Sequence, residues 1–257
     1  MDLLFPAHRQ SLTDEDLLAL YAWPDQTYLR ANMVATIDGV VRGPDDRSES
    51  ISSGADKRVF HMLRGTCDAV IVGAGTARTE NYRALPAHGK WGQWQAWRSR
   101  SDITPVVVVS NRGAVDPQAR LFTGGPGAVI VAVPELVAAS VSDRLPHTVE
   151  VLALGATEVD LPALVDCLAA RGCTRLLTEG GPSLLAALWP QVDELCLTTS
   201  PHIMGRVGAE RPSPDLFGGR ELAGNDRPIA LRHLIAADGT LLAAWRLIQA
   251  EPADDNP

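Results

Sequence analysis

The sequence predicts an α/β fold, in which a mixed and mostly parallel sheet carries helices on both faces and ends in a β-hairpin. Short apolar runs alternate with helical patterns through the middle of the chain, as in domains built on a parallel sheet. One run, residues 105–109, is largely valine, which is typical of a strand covered on both faces. Asp238-Gly239 separates two late apolar runs and favours a tight hairpin. Because no linker or internal repeat interrupts this pattern, we expect one three-layer domain over residues 1–257.

Local signals give the order of the elements. Thr13 and Asp16 form a capping-box pattern, which predicts a helix in an N-terminal helical extension over residues 1–27. Ser53 and Asp160 stand at the N-cap positions of two further helices. We predict strands over residues 28–37, 67–72, 105–109, 128–133, 149–154, 176–178, 192–199, 229–236 and 240–248. The polar residues 251–257 are expected to form a disordered tail.

Composition and charge argue against several classes of protein. The formal net charge is −8 and no basic run occurs, so we expect no nucleic-acid partner. No apolar stretch approaches the ~20 residues of a membrane span. The N-terminus also lacks a basic segment before an unbroken apolar run, so we expect a cytoplasmic protein without membrane association. The 4 cysteines form no C-x-x-C pair and the 6 histidines no H-E-x-x-H pattern, so we expect no metal.

The segment from residue 176 to residue 185 is the most informative part of the sequence. An apolar run ends at Glu179, two glycines follow, and Pro182 begins a helical pattern. A strand tip, a glycine turn and a helix N-terminus together favour an anion, because backbone N–H groups and the helix dipole point toward it. An ordinary strand-to-helix turn with a solvated glutamate is the alternative interpretation.

Three loops follow the ends of predicted strands, at residues 73–76, 110–112 and 179–183. Ligands of open α/β sheets bind at the carboxyl ends of the strands, so these loops could hold a phosphate-rich cofactor. A Rossmann fingerprint would need glycine where Arg78 stands, and no G-K-[ST] or G-x-S-x-G sequence occurs. The loops therefore favour a nucleotide site of another kind.

Four blocks of sequence, in order, resemble one known family. They lie at residues 29–39 (ending Thr36-Ile37-Asp38-Gly39), 51–64, 67–76 (Cys67-Asp68-Ala69-Val70-Ile71-Val72-Gly73-Ala74-Gly75-Thr76) and 178–184 (Thr178-Glu179-Gly180-Gly181-Pro182-Ser183-Leu184). This arrangement is similar to the pyrimidine reductase domain of the riboflavin pathway, which has a dihydrofolate-reductase-like fold. The resemblance spans roughly residues 28–205.

The resemblance implies a small-molecule reaction with NADPH as the hydride donor. The implied substrate is 5-amino-6-(5-phosphoribosylamino)uracil, whose ribosylamino group becomes a ribitylamino group. Hydride chemistry belongs to the cofactor, and the protein supplies binding and orientation. Family members commonly form homodimers, so we expect one here. The H-x-E and P-C-x-x-C motifs of the deaminase domain found in bifunctional members are absent from this sequence.

The resemblance also assigns site residues. Asp38 and Glu179 are the candidates for catalytic acids. The expected substrate-binding residues are Ser48, Arg64, Arg83 and Glu179, with Arg64 on the substrate phosphate. The expected cofactor-binding residues are Val34, Gly73, Gly75, Thr76, Glu80, Ser110, Gly180, Gly181, Pro182, Ser183 and Leu184. Arg112 joins them on different grounds, since a cation after a strand can recognise the 2′-phosphate of NADPH.

Three positions depart from the family pattern. Many members have lysine at Asn32, tryptophan at Ser50 and aspartate at Glu80. Because these residues shape the substrate pocket, two alternatives stay open at this point. One is reduction of dihydrofolate or another heterocycle on the same fold, and the other is a nucleotide-binding paralogue without catalysis.

Overall fold

The computed structural model describes residues 1–85, 103–124, 127–205, 215–220, 222 and 227–248. The tail expected over residues 251–257 lies outside them. The strands are β1 (Asp2–Phe5), β2 (Tyr28–Thr36), β3 (Ala69–Gly73), β4 (Val106–Val109), β5 (Val129–Val133), β6 (Glu150–Ala153), β7 (Arg175–Thr178), β8 (Glu194–Ser200), β9 (Ile229–Ala237) and β10 (Thr240–Leu247). The helices are α1 (Asp14–Leu20), α2 (Gly54–Thr66), α3 (Ala74–Thr79), α4 (Arg120–Thr123), α5 (Glu135–Arg144), α6 (Leu161–Ala170) and α7 (Pro182–Leu188). Two short 3₁₀ helices cover Glu49–Ile51 and Trp189–Gln191.

The strands form one 10-stranded sheet in the order β1-β9-β10-β8-β2-β7-β3-β4-β5-β6. Every pair from β8 to β6 is parallel, whereas β1, β9 and β10 pair antiparallel at one edge. Asp238 and Gly239 both have positive φ, at 49° and 79°, as a tight hairpin between β9 and β10 requires. The mixed, mostly parallel sheet and its C-terminal hairpin confirm the predicted fold class.

Helices cover both faces of this sheet. Val70 and Ile71 are neighbours on β3, and their side chains point to opposite faces because a strand alternates. Val70 packs in a core cluster with residues of α1 and α2, such as Leu17 and Met62. Ile71 packs in a second cluster with residues of α6 and α7, such as Leu164. The three-layer arrangement is therefore present.

The predicted helix caps are formed. Thr13 and Asp16 make both bonds of the capping box at the start of α1. The hydroxyl of Ser53 accepts from the backbone N–H of Asp56, and the carboxylate of Asp160 accepts from Ala163 N–H. Each cap satisfies a backbone donor that a helix leaves unpaired in its first turn. The Ser53 cap fixes where α2 begins, and α2 forms one wall of the site described below.

Two predictions need correction. The extension over residues 1–27 is not only helical, because β1 precedes α1 and pairs with β9 at the edge of the sheet. Residues 73–76 do not form the predicted loop. Gly73 is instead the N-cap of α3, whose first residue is Ala74.

Within the described ranges, no helix is both long enough and apolar enough to cross a membrane.

Candidate active site

A cavity of about 860 Å³ opens at the carboxyl ends of β2, β7 and β3, which are adjacent in the sheet. Its volume lies within the ~300–1,000 Å³ that is usual for small-molecule sites. The predicted site residues that line it are Val34, Ser48, Arg64, Thr76, Glu80, Arg83, Glu179, Gly181 and Pro182. The predicted residues outside its lining are Asp38, Gly73, Gly75, Ser110, Arg112, Gly180, Ser183 and Leu184.

Glu179 leaves the end of β7 and pairs with Arg64 from the last turn of α2. The Arg64 Nε donates to Oε1 and Nη2 donates to Oε2, each at 2.6 Å. The phenol of Tyr82 also donates to Oε2. The Arg64 guanidinium lies between two rings, 4.1 Å from the centroid of Phe60 and 5.0 Å from that of Tyr82. Charge pairing and ring contacts together fix this guanidinium in one position.

The electrostatics of this cluster favour the charged form of Arg64 and the neutral form of Tyr82. Burial opposes the charge of Arg64, but the Glu179 carboxylate outweighs it and holds the pKa of Arg64 above its ordinary value. Burial, together with the same carboxylate, raises the pKa of Tyr82 well above that of a free phenol. Tyr82 therefore remains a neutral hydrogen-bond donor at physiological pH.

This pairing bears directly on the roles expected for Glu179 and Arg64. Both carboxylate oxygens of Glu179 already accept hydrogen bonds within this cluster. Glu179 is 7% exposed and already has two partners, so it is poorly placed as a proton donor or as the main contact to the substrate. Nε and Nη2 of Arg64 already donate to Glu179, so Arg64 is a weak candidate for binding the substrate phosphate. Together they form a rigid wall of the cavity.

Asp38, expected as a catalytic acid, does not line the cavity. It is exposed, and its carboxylate accepts from Thr36 Oγ1 at 2.6 Å and from Gly205 N–H at 2.7 Å. The Thr36 hydroxyl holds the pKa of Asp38 below its ordinary value. Its bonds join the turn after β2 to the segment after β8, which is a structural role.

The glycine pair after Glu179 is pressed between two neighbours. A Cβ on Gly181 would lie 2.4 Å from Thr76 Oγ1, and one on Gly180 would lie 3.1 Å from the Met33 sulfur. Gly180 also has φ of +72°, a conformation that favours glycine. Gly73 N–H donates to the Gly180 carbonyl at 2.7 Å, which ties the end of β3 to this segment. Glycine therefore keeps the wall beside Thr76 open.

The other expected cofactor residues lie apart from the cavity. Ser110 is buried and its hydroxyl accepts from Ala114 N–H at 3.1 Å, within its own loop. Arg112 is exposed beyond the end of β4. Leu184, on α7, is buried and packs in the core. Gly75 is exposed on α3 with open space around it.

The three positions that depart from the family pattern lie in different parts of the structure. Glu80 accepts from the backbone N–H of Ser48 at 2.7 Å, so it tethers the loop that carries Ser48 to α3. Asn32 lines the cavity from β2. Ser50 is exposed and donates to Asp45 at 2.6 Å, outside the cavity lining.

Several cavity residues were missed by sequence reasoning. They are Arg42, Asp56, Lys57, Phe60 and Tyr82. Asp56 is 6% exposed and lies in the first turn of α2, where an acidic residue reads as part of a helix start. Tyr82 contacts Glu179 across 97 positions of sequence. Neither the helix position of Asp56 nor the distant contact of Tyr82 gives a local sequence signal that identifies a site residue. Within the described ranges, no group of three or more His, Cys, Asp or Glu residues could hold a metal ion.

Comparison with known proteins identifies the relatives of this chain. The 2,5-diamino-6-ribosylamino-4(3H)-pyrimidinone 5′-phosphate reductase of Methanothermobacter thermautotrophicus is 32% identical over 184 residues, which cover 69% of this chain and 79% of that protein. The enzyme of the same name from Archaeoglobus fulgidus is 28% identical over 72% of this chain and 84% of its own length. The riboflavin biosynthesis protein RibD of Chlamydia trachomatis is 32% identical, and the match spans only 46% of its length.

Solved structures share the fold. A pyrimidine reductase-like protein from Corynebacterium diphtheriae aligns with a TM-score of 0.76 and 24% identity, covering 91% of this chain and 99% of that one. A deaminase/reductase from Thermotoga maritima aligns with a TM-score of 0.67 and 19% identity, covering 91% of this chain and 60% of the other. Residues 27–222 match the RibD C-terminal domain family. This chain therefore belongs to the RibD C-terminal domain family, whose relatives include the pyrimidine phosphate reductases of riboflavin biosynthesis.

Proposed function

We propose that this chain is an NADPH-dependent reductase of riboflavin biosynthesis. Its substrate is a 5′-phosphorylated ribosylaminopyrimidine, whose ribosylamino group becomes a ribitylamino group. One observation carries the proposal: a single cavity brings together a glycine-walled end beside Thr76 and basic side chains from α2 and the neighbouring loops. The names of the relatives from Methanothermobacter and Archaeoglobus support the same reaction.

The residues around the glycine pair suit a nicotinamide dinucleotide. The cavity is large enough for part of such a ligand, and Gly181 leaves its wall free of a side chain. We assign Thr76, Gly181 and Pro182 to the pyrophosphate and ribose, and Val34 on β2 to the nicotinamide. Arg112 follows β4, next to β3 in the sheet, and its exposed guanidinium suits the 2′-phosphate that distinguishes NADPH from NADH.

Held by Val34, Thr76, Gly181 and Pro182, NADPH would supply the hydride that reduces C1′ of the ring-opened sugar imine, and water would supply the proton that its nitrogen gains. The residues of this chain bind and orient the two reactants. The charged pair of Arg64 and Glu179 holds one wall of the cavity rigid. Glu80 holds the loop carrying Ser48 against α3, and this keeps Ser48 on the cavity.

We assign binding of the substrate phosphate to three basic residues that line the cavity, namely Arg42, Lys57 and Arg83. Lys57 pairs with Glu49 at 3.1 Å, and both side chains are well exposed. An exposed ion pair contributes little, so a phosphate can displace Glu49 at small cost. Arg64 is a weaker candidate for this role because Nε and Nη2 of its guanidinium already donate to Glu179.

The proposal is tested by following the absorbance of NADPH with purified protein. We expect saturable oxidation that depends on the ribosylaminopyrimidine phosphate and is much slower with NADH. Arg83→Ala should raise KM for the substrate more than KM for NADPH, whereas Arg112→Ala should do the reverse. Failure to bind NADPH, or no oxidation above the rate without substrate, would contradict the proposal.

We also propose that the protein acts in the cytoplasm as a homodimer, following the habit of its family. Light scattering of the purified chain tests the dimer. A mass of one chain at working concentration would overturn it.

A further inference from the structure

We propose that Asp56 selects the pyrimidine ring, binding a 2-amino-4-oxopyrimidine and discriminating against a uracil. This inference rests on the proposed function and refines its substrate. It concerns a side chain that neither the sequence motifs nor the glycine wall accounts for.

Asp56 presents a buried carboxylate to the cavity. It is 6% exposed and lines the cavity from the first turn of α2. Its Oδ2 accepts from the hydroxyl of Ser52 at 2.5 Å, and its Oδ1 accepts from the hydroxyl of Thr198 at 2.6 Å. In the part of the chain that the structure describes, it forms no ion pair. Its charge is therefore held by two neutral donors.

The carboxylate is not needed to cap α2. The cap bond runs from the backbone N–H of Asp56 to the hydroxyl of Ser53, so the side chain of Asp56 takes no part in it. Burying a carboxylate is costly unless hydrogen bonds compensate. Two oxygens offer about four acceptor positions, and two hydroxyls fill half of them. The open positions call for N–H or O–H donors from a ligand.

The sheet places Asp56 beside the expected point of reaction. Thr198 on β8, which holds Oδ1, pairs in register with Val34 on β2. Val34 lines the cavity and is assigned to the nicotinamide. Val34 and Asp56 line the same cavity, so a pyrimidine that reacts against Val34 can turn another of its edges toward Asp56.

The edge farthest from the reacting group is the one that differs between the two candidate rings. The sugar nitrogen is attached at C6, and N3, flanked by C2 and C4, lies opposite. A 2-amino-4-oxopyrimidine offers an N3–H and a 2-amino N–H side by side, which match the two oxygens of a carboxylate. A uracil offers N3–H between two carbonyls, so one oxygen of Asp56 would face a carbonyl lone pair. Asp56 thus favours the ring that has not yet been deaminated.

The experiment compares 2,5-diamino-6-ribosylamino-4(3H)-pyrimidinone 5′-phosphate with 5-amino-6-(5-phosphoribosylamino)uracil. We expect the wild-type protein to favour the diamino substrate by about tenfold or more in kcat/KM, the size of one charge-assisted hydrogen bond. Asp56→Asn presents one acceptor and one donor, which fits N3–H and a carbonyl of uracil, so the preference should reverse. Asp143→Asn, which changes an exposed carboxylate on α5, should leave the preference unchanged.

Binding of the reaction products provides a second readout that needs neither turnover nor a folded variant. Calorimetry with NADP⁺-saturated wild-type protein compares 2,5-diamino-6-ribitylamino-4(3H)-pyrimidinone 5′-phosphate with 5-amino-6-ribitylaminouracil 5′-phosphate, which differ only in the C2 substituent and the ring proton that accompanies it. Tighter binding of the diamino compound supports the role of Asp56, and equal or weaker binding overturns it. Equal loss of both substrates in Asp56→Asn would also overturn it. If neither substrate consumes NADPH, the proposed function fails, while the binding comparison still decides the preference.

Discussion

Replacing Arg64 with methionine tests the charged wall of the cavity. The variant leaves the Glu179 carboxylate, whose side chain is 3% exposed, with the Tyr82 phenol as its remaining described partner. It removes two hydrogen bonds of 2.6 Å, each charge-assisted and contributing about 1.5–3 kcal/mol. Breaking a buried ion pair by removing one member costs about 3–5 kcal/mol, because the other charge stays buried. We therefore expect a loss of about 3–5 kcal/mol in the free energy of unfolding.

Urea unfolding followed by circular dichroism measures this loss. Arg171→Met is the matched control, because Arg171 pairs with Glu150 at 2.8 Å with side chains 39% and 47% exposed. That pair should contribute less than about 1 kcal/mol. The double variant Arg64→Met, Glu179→Met should be more stable than Arg64→Met alone, since no unpaired charge remains. If Arg64→Met costs no more than Arg171→Met, the reasoning about this wall is wrong.

Three further predictions concern the glycine wall, the phenol and a buried histidine. Gly181→Ala places a Cβ 2.4 Å from Thr76 Oγ1 and should weaken NADPH binding about tenfold in a fluorescence titration. Gly54→Ala is the control, because its Cβ meets open space, and it should leave NADPH binding unchanged. Equal effects of the two variants would contradict the role of Gly181. Tyr82→Phe should cost about 1–2 kcal/mol in urea unfolding, and no loss would mean that the phenol does not support Glu179. Burial lowers the pKa of His233 to about 4, so the unfolded chain binds more protons and wild-type stability should fall by up to about 3 kcal/mol as pH drops from 6.5 toward 4. His233→Phe should flatten that fall, and an unchanged pH profile would refute the assignment.

The architecture could be predicted because its signals are local. Alternating apolar runs, the Ser53 and Asp160 caps and the Asp238-Gly239 turn each lie within a few residues of sequence. The edge strand β1 could not be predicted in this way. It has four residues with only Leu3 buried, and its partner β9 is more than 200 residues away. Its existence depends on a distant surface, which local propensity does not report.

The sequence predicts the position of the candidate site more accurately than the roles of its residues. The ends of β3 and β7 and the glycine pair located the cavity, because parallel strands bring their carboxyl ends to one edge, whereas the loop after β4 lies apart from it. The partner of Glu179 depends on a contact across 115 positions, from Arg64 on α2. Asp56 depends on Thr198, 142 positions away. Such pairs are created by tertiary packing and leave no mark in the local sequence, so the family resemblance assigned Glu179 and Arg64 to the substrate instead of to each other.

The transfer of hydride from NADPH to the sugar carbon is the central claim, and isotope labelling tests it most directly. Purified protein is given NADPH that carries deuterium at the transferred position of C4, together with the ribosylaminopyrimidine phosphate. Mass spectrometry should show a ribitylamino product with a single deuterium on C1′. A product without deuterium, or no ribitylamino product while NADPH is bound, would contradict the account.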